Sequence, residues 1–338
     1  MRPQSPEIRF APRDRLLVLA PHPDDETLAS GELIQLALAA GAHVRVLFVT
    51  DGENNPWPQR WMEMRLWINA AARRRWGERR RGEAVAALKV LGDGAITFRF
   101  LGFADQSVTA ALMDDDALLV ALAAEVTGFA PTHLVAPALG DRHPDHSALH
   151  ILSELALLQT GHSCVRLTYL VHGPGRGYGE SSAAQERQQR KLEALACHAS
   201  QLGLSRGRLQ RIARAPERFA IAAWTPTSSS AGEADRLRIA MDVGVGSSLR
   251  HHILVVVAGE QGIWRARVRL PLLPRAGMSL EVLGDSPLQL HLDGGMIVIP
   301  CPSGAGKISN AWMKLHRREP RLVVFDKQTW QALVRVDC

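Results

Sequence analysis

The chain predicts an α/β fold: a Rossmann-like, mostly parallel sheet flanked by helices, followed by a small all-β, sandwich-like domain. Two observations predict the α/β part. Apolar runs at Leu16–Ala20, Val44–Thr50, Ile96–Leu101, His133–Pro137 and Arg166–Val171 read as buried strands. Helix-period patterns near 27–40, 78–91, 115–128 and 146–160 separate them. The third observation is a change of texture beyond Trp224. There Ile253–Ala258, Trp264–Leu270, Leu288–Leu292, Met296–Ile299 and Leu322–Phe325 form short strand-like runs, with a turn at Asp293-Gly294-Gly295.

At 338 residues the chain exceeds the usual size of a single core. The Thr225–Gly232 stretch, rich in Ser, Thr and Pro, reads as a linker, which gives domains at 1–224 and 233–338. The start, Met1 to Asp14, is polar and holds no apolar run of signal-peptide length, and no run reaches transmembrane length. Four dispersed cysteines, Cys164, Cys197, Cys301 and Cys338, suit reduced thiols, and the expected location is cytoplasmic. The formal net charge is +6; 14 Lys+Arg against 10 Asp+Glu lie from Glu233 onward, and 26 against 24 before it. Arg265, Arg267 and Arg269 alternate with apolar residues and would line one face of a strand, by default a solvated one. With no nucleic-acid motif beside this charge, a nucleic-acid partner is not expected. Contact with a membrane surface stays open, and the sequence leaves the oligomeric state open too.

The first strand runs into Pro21-His22-Pro23-Asp24-Asp25-Glu26, at the turn into the first helix. Open α/β sheets place their sites on that carboxyl edge. Three adjacent carboxylates repel unless a cation or proton holds them together. An acidic first helical turn explains Asp24, Asp25 and Glu26 but leaves His22 and the two prolines unexplained. The fourth strand runs into Asp141-Arg142-His143-Pro144-Asp145-His146 before another helix. Two His/Asp clusters at two strand ends converge if those strands are neighbours, and two His with one carboxylate suit a catalytic metal with an open position for water. No Gly-x-Ser-x-Gly elbow is present, so a serine hydrolase is not expected.

Residues 21–26 together with His143-Pro144-Asp145-His146 resemble the PIG-L/LmbE-like family of zinc-dependent de-N-acetylases. Thr50-Asp51-Gly52-Glu53 is similar to the family's Thr-x-Gly-Glu, and Arg80-Arg81-Gly82-Glu83 to its Arg-x-x-Glu helix. Lys191–Gln201 resembles its late helix, so the likeness spans about residues 14–222. Leu28-Ala29-Ser30-Gly31 departs from the more Gly-rich turn of many members. The resemblance implies a Zn²⁺ ion, or another divalent transition metal such as Fe²⁺, held by His22, Asp25 and His146. It implies removal of an N-acetyl or N-acyl group from an amino sugar or glycoconjugate. The alternatives are an amidase acting on a thiol-sugar conjugate or other small amide, and a non-catalytic glycan-binding protein.

Within that scheme Asp24 is expected as the general base, His143 as oxyanion stabiliser or proton donor, and Asp145 as the group that orients His143 and raises its pKa. Arg80 is expected on substrate oxygens, and Thr50 and Glu53 in the surrounding pocket. His150 is read as packing or surface. Four of the eight tryptophans, Trp57, Trp61, Trp67 and Trp76, fall between Asn54 and Trp76. They are read either as a stripe packed on the domain or as a lid, with Trp61 and Trp67 touching substrate.

Overall fold

The computed structural model describes residues 8–173, 185–224, 236–240, 251–270, 277–293, 296–300, 308–317, 325–326, 328–332 and 334–335. The linker expected at 225–232, and residues 322–324 of the last expected strand, lie outside the described residues. The chain divides into two compact units. One holds Met1–Leu112 and Asp116–Thr225; the other holds Met113–Asp115 and Pro226–Cys338.

In the first unit, β1 (Arg15–Ala20), β2 (His43–Thr50), β3 (Ile96–Phe103), β4 (His133–Pro137), β5 (Cys164–Tyr169) and β6 (Ala220–Trp224) form one sheet in the order β3-β2-β1-β4-β5-β6. The first five strands run parallel; β6 closes the β5 edge antiparallel. Strands covered on both faces need continuous apolar runs, and Leu16 to Ala20 and Leu134 to Pro137 are buried without alternation. The helices are α1 (Asp25–Ala39), α2 (Pro56–Glu63), α3 (Ala70–Gly92), α4 (Val108–Asp114), α5 (Ala117–Phe129), α6 (Pro144–Thr160), α7 (Gln185–Cys197) and α8 (Ala199–Arg214).

One feature of this topology positions the site. From β1 the chain moves outward through β2 and β3, then returns to β4 on the other side of β1. The loops after β1 and β4 therefore diverge, leaving a crevice at their carboxyl ends. Leu16, Leu17 and Val18 pair directly with His133, Leu134 and Val135, so both sequence clusters open onto that crevice.

The helix expected from residue 78 begins eight residues earlier. Asn69 caps it, accepting a hydrogen bond from the Ala72 N–H at 2.9 Å, and Trp76 is buried inside it. The late helix is two helices, broken at His198.

In the second unit, β7 (Arg236–Ala240), β8 (His251–Gly259), β9 (Gly262–Arg269), β10 (Met278–Ser279), β11 (Glu281–Leu283), β12 (His291–Asp293), β13 (Met296–Pro300), β14 (Ile308–Arg317), β15 (Gln331–Ala332) and β16 (Val334–Arg335) form two antiparallel sheets. Their orders are β10-β12-β13-β7-β16 and β11-β9-β8-β14-β15. Val255 and Val257 of β8, Met313 of β14, and Ile297 and Ile299 of β13 join one buried cluster, so the sheets pack as a sandwich. In β9, Ala266 and Val268 are buried while Arg269 faces out onto Glu281 at 3.0 Å. No helix among the described residues is long and apolar enough to cross a membrane.

Candidate metal centre

Asp25 is the first residue of α1, and its Oδ2 is the point on which the cluster converges. The His22 N–H donates to it at 3.0 Å, His22 Nδ1 lies 3.2 Å away, and His146 Nε2 lies 3.2 Å away. His146 comes from the first turn of α6, which starts at Pro144, where a missing N–H costs nothing. The ring centroids of His22 and His146 are 5.4 Å apart, and the His143 ring is 4.7 Å from the first and 4.9 Å from the second.

Charge balance tests whether a metal fits. Burial alone would lower both imidazoles. Asp105, Asp145 and Asp25 instead raise His22 well above its ordinary value, and Asp25 and Asp141 raise His146 to about 10. Burial would likewise raise Asp25, but His146 and His22 hold it well below the carboxylate range. Carboxylates that force protons onto two buried imidazoles define a place that demands positive charge. Both ring nitrogens of His146 are buried without a hydrogen bond, although Asp25 and Asp141 oxygens stand 3.2 Å from them. An Asp141 carboxylate on the Nδ1 side leaves Nε2 as the ligand atom. Ligand atoms of His22, His143 and His146 lie within 4.8 Å of one another, as do those of Asp25, His146 and His172, and of His22, Asp105 and Asp145. This donor set of imidazole and carboxylate suits a divalent transition metal.

Asp24 stands at the N-cap of α1 yet makes no capping hydrogen bond. Its φ of 128° is a conformation that side chains rarely adopt. Three contacts hold it there. Its N–H donates to Glu26 Oε2 at 2.9 Å, Arg80 Nη2 donates to Pro23 O at 2.6 Å, and the same nitrogen reaches Asp24 Oδ1 at 3.4 Å. Glu26 is held in turn by Thr27 Oγ1 at 2.7 Å and lies 3.1 Å from His198 Nε2, at the break between α7 and α8. Burial pushes the Asp24 carboxyl up to about 6, against the pull of Arg80.

One expectation needs correcting. Asp145 does not raise His143. Its carboxylate accepts from the N–H groups of Gln106 at 2.7 Å and Val108 at 3.2 Å and lies 3.4 Å from His22 Nε2. Its own N–H is what donates to His143 Nδ1, at 3.3 Å. His143 is held well below its ordinary pKa by burial, then by the charges of His22, His146 and His172; any cation in the cluster pushes the same way. Arg80, expected on the substrate, is buried and braces the loops. It donates to Gly52 O at 2.8 Å as well as to Pro23 O. Gly52 has φ +63°, and a Cβ there would run into the Arg80 guanidinium, so glycine suits both the backbone and the close approach.

The remaining expected residues fall around this core. Thr50 Oγ1 donates to Pro21 O at 2.9 Å, tying β2 to the loop after β1. Glu53 Oε1 accepts from Asp105 N–H at 2.9 Å. His150 is buried against Pro137 O at 2.8 Å and Glu154 at 3.0 Å. Trp61 on α2 and Trp67 in the following loop are exposed, unlike Trp76. Sequence reasoning missed Asp105, whose Oδ1 lies 3.1 Å from His22 Nε2, and His172, whose ring centroid is 4.9 Å from that of His146. Their common signal is position: Asp105 follows β3 and His172 follows β5, on the same sheet edge.

Residues 17–157 match the family described as PIG-L: GlcNAc-PI de-N-acetylase. A 1D-myo-inositol 2-acetamido-2-deoxy-alpha-D-glucopyranoside deacetylase of Rhodococcus jostii (strain RHA1) is 34% identical over 162 residues, 44% of this chain and 54% of that protein. The Mycobacterium avium (strain 104) protein of the same name is 43% identical over 86 residues, 25% of this chain and 27% of its own. The match thus spans about half the length of the first relative and less of the second. Among solved structures, a triple mutant of a deacetylase of the teicoplanin biosynthetic pathway superposes with a TM-score of 0.48 at 21% identity, covering 63% of this chain and all of that one. The matched residues contain β1, β4 and the clusters that follow both strands, so the likeness to the PIG-L family falls on the first unit and its site.

Proposed function

We propose that this protein is a divalent-metal-dependent hydrolase that removes an N-acetyl or N-acyl group from an amino sugar or its conjugate. The observation that carries the reading is the meeting of His22 and His146 on one oxygen of Asp25, with the strained Asp24 beside them. The deacetylase names of the relatives support the amide and the amino sugar. His22, Asp25 and His146 would hold the ion, with zinc the expected metal.

A divalent ion bound there supplies Lewis-acid polarisation of the amide carbonyl and acidifies water. The rest falls to the chain. Asp24, beside the expected ligand Asp25 and braced by Arg80, is the carboxylate placed to take a proton from the attacking water. The same carboxyl then returns that proton to the departing amine nitrogen as the C–N bond breaks, leaving carboxylate and free amine. His143 is neutral, and its Nδ1 accepts from the Asp145 N–H, so its proton sits on Nε2. That N–H is a donor for the negative oxygen of the tetrahedral intermediate. Asp145 acts through backbone, as a positioning residue. Burial of the whole cluster keeps these charges in a low dielectric, where each counts for more.

The test is acetate release from a panel of N-acetylated monosaccharides, inositol glycosides and glycolipids, with zinc content measured on the same samples. Stoichiometric metal with no acyl release from any amide would refute the reading.

A further inference from the structure

We infer that the segment from α2 into α3 is a docking surface for anionic lipid membranes. Of the large hydrophobic side chains exposed among the described residues, half lie within eleven positions: Trp57, Trp61, Met64, Leu66 and Trp67, at 53, 62, 86, 83 and 89% exposure. Trp57, Trp61 and Met64 recur at the spacing of one face of α2. The opposite face is anchored: Pro58 and Gln59 are buried, and Gln59 Nε2 donates to Ala72 O at 2.7 Å. The apolar face is therefore held outward by a fixed scaffold.

Charge selects the occupant. Residues 57–81 contain eight arginines and two glutamates, a net of +6, which equals the formal net charge of the whole chain. The rest of the sequence before Glu233 has 18 basic and 22 acidic residues, so this segment is the positive pole of an otherwise acidic unit. Arg65, Arg73 and Arg74 are exposed and make no ion pair among the described residues, while Arg60 lies 5.1 Å over the Trp57 ring. Indole rings beside guanidinium groups match the boundary between headgroups and acyl chains. Nucleic acid would reward the rings and the charge, but it gives no return for Met64 and Leu66, two of the three most exposed apolar side chains in the patch. A second copy of the chain docked through the same segment would bring +6 against +6.

The full-length protein, without substrate, is sedimented with phosphatidylglycerol–phosphatidylcholine vesicles and with phosphatidylcholine vesicles alone. The expected result is binding to the first only, weakened by salt. A Met64→Ser/Leu66→Ser variant and an Arg73→Ser/Arg74→Ser variant both keep the fold, since all four side chains are exposed. Each should bind more weakly, the second by roughly fivefold per arginine. The inference is overturned by absence of vesicle binding, by equal binding to neutral vesicles, or by binding that neither variant changes. It is also overturned if a DNA oligonucleotide binds where vesicles do not, or if the patch is closed by self-association that Leu66→Ser abolishes.

Discussion

Asp24→Asn separates chemistry from structure in two directions at once. In the metal-stripped protein, burial raises the Asp24 pKa from 3.8 to about 6. A folded pKa above the unfolded one means that this group's favourable contribution is complete below about pH 4 and is lost as pH rises through 6. A gap of about two units corresponds to about 3 kcal/mol of destabilisation at neutral pH and above. Asparagine mimics the protonated carboxyl and is among the residues that tolerate positive φ, so the strained backbone survives the change. Stripped Asp24→Asn should match wild type near pH 4 and exceed it by about 3 kcal/mol at pH 8, a melting-temperature gain of roughly 5–10 °C. Reloaded with zinc, the variant should keep nearly stoichiometric metal but lose about 10²–10⁴-fold in turnover, the usual worth of a general base. Wild-type activity should rise with pH through an ionisation that the variant lacks. The assays are thermal melts from pH 4 to 8, elemental analysis, and acetate release at saturating zinc. Full activity on adding zinc, or a variant less stable than wild type at pH 8, would refute the reasoning.

Three further outcomes are expected. His22→Ala, Asp25→Asn and His146→Ala should each lose metal together with activity, read by elemental analysis beside acetate release; retained metal in any of them would remove that residue from the ligand set. Gly52→Ala should cost about 2 kcal/mol or more, because the φ of +63° strains an alanine and its Cβ would have to displace the anchored Arg80 guanidinium, and denaturant melts will show it. Since the two units have separate buried clusters, a chain ending at Trp224 should retain zinc and a cooperative melt; unfolding with metal loss would mean that the units share one core.

The parallel strands, the helices between them and the two His/Asp clusters were legible because each is a local pattern. A buried parallel strand must be apolar at consecutive positions, and a metal-binding turn must crowd its donors. Asn69 could have been read as a helix cap, which would have placed Arg73 to Arg75 on α3 and Trp76 in the core. Other features had no local signature. Asp105 and His172 join the cluster only because β3 and β5 end on the same edge as β1 and β4. The His143 shift is set by burial and then by three imidazoles brought from separate strand ends, and neither can be read from neighbours in sequence. Arg80 resembles a substrate-binding residue in one dimension; packing buries it beneath the turn that strains Asp24. Sequence by itself determined which side chains were available and at which strand ends. The strand order, set by the crossover from β3 back to β4, decided which of them face one another, because proximity in a sheet follows pairing rather than chain position.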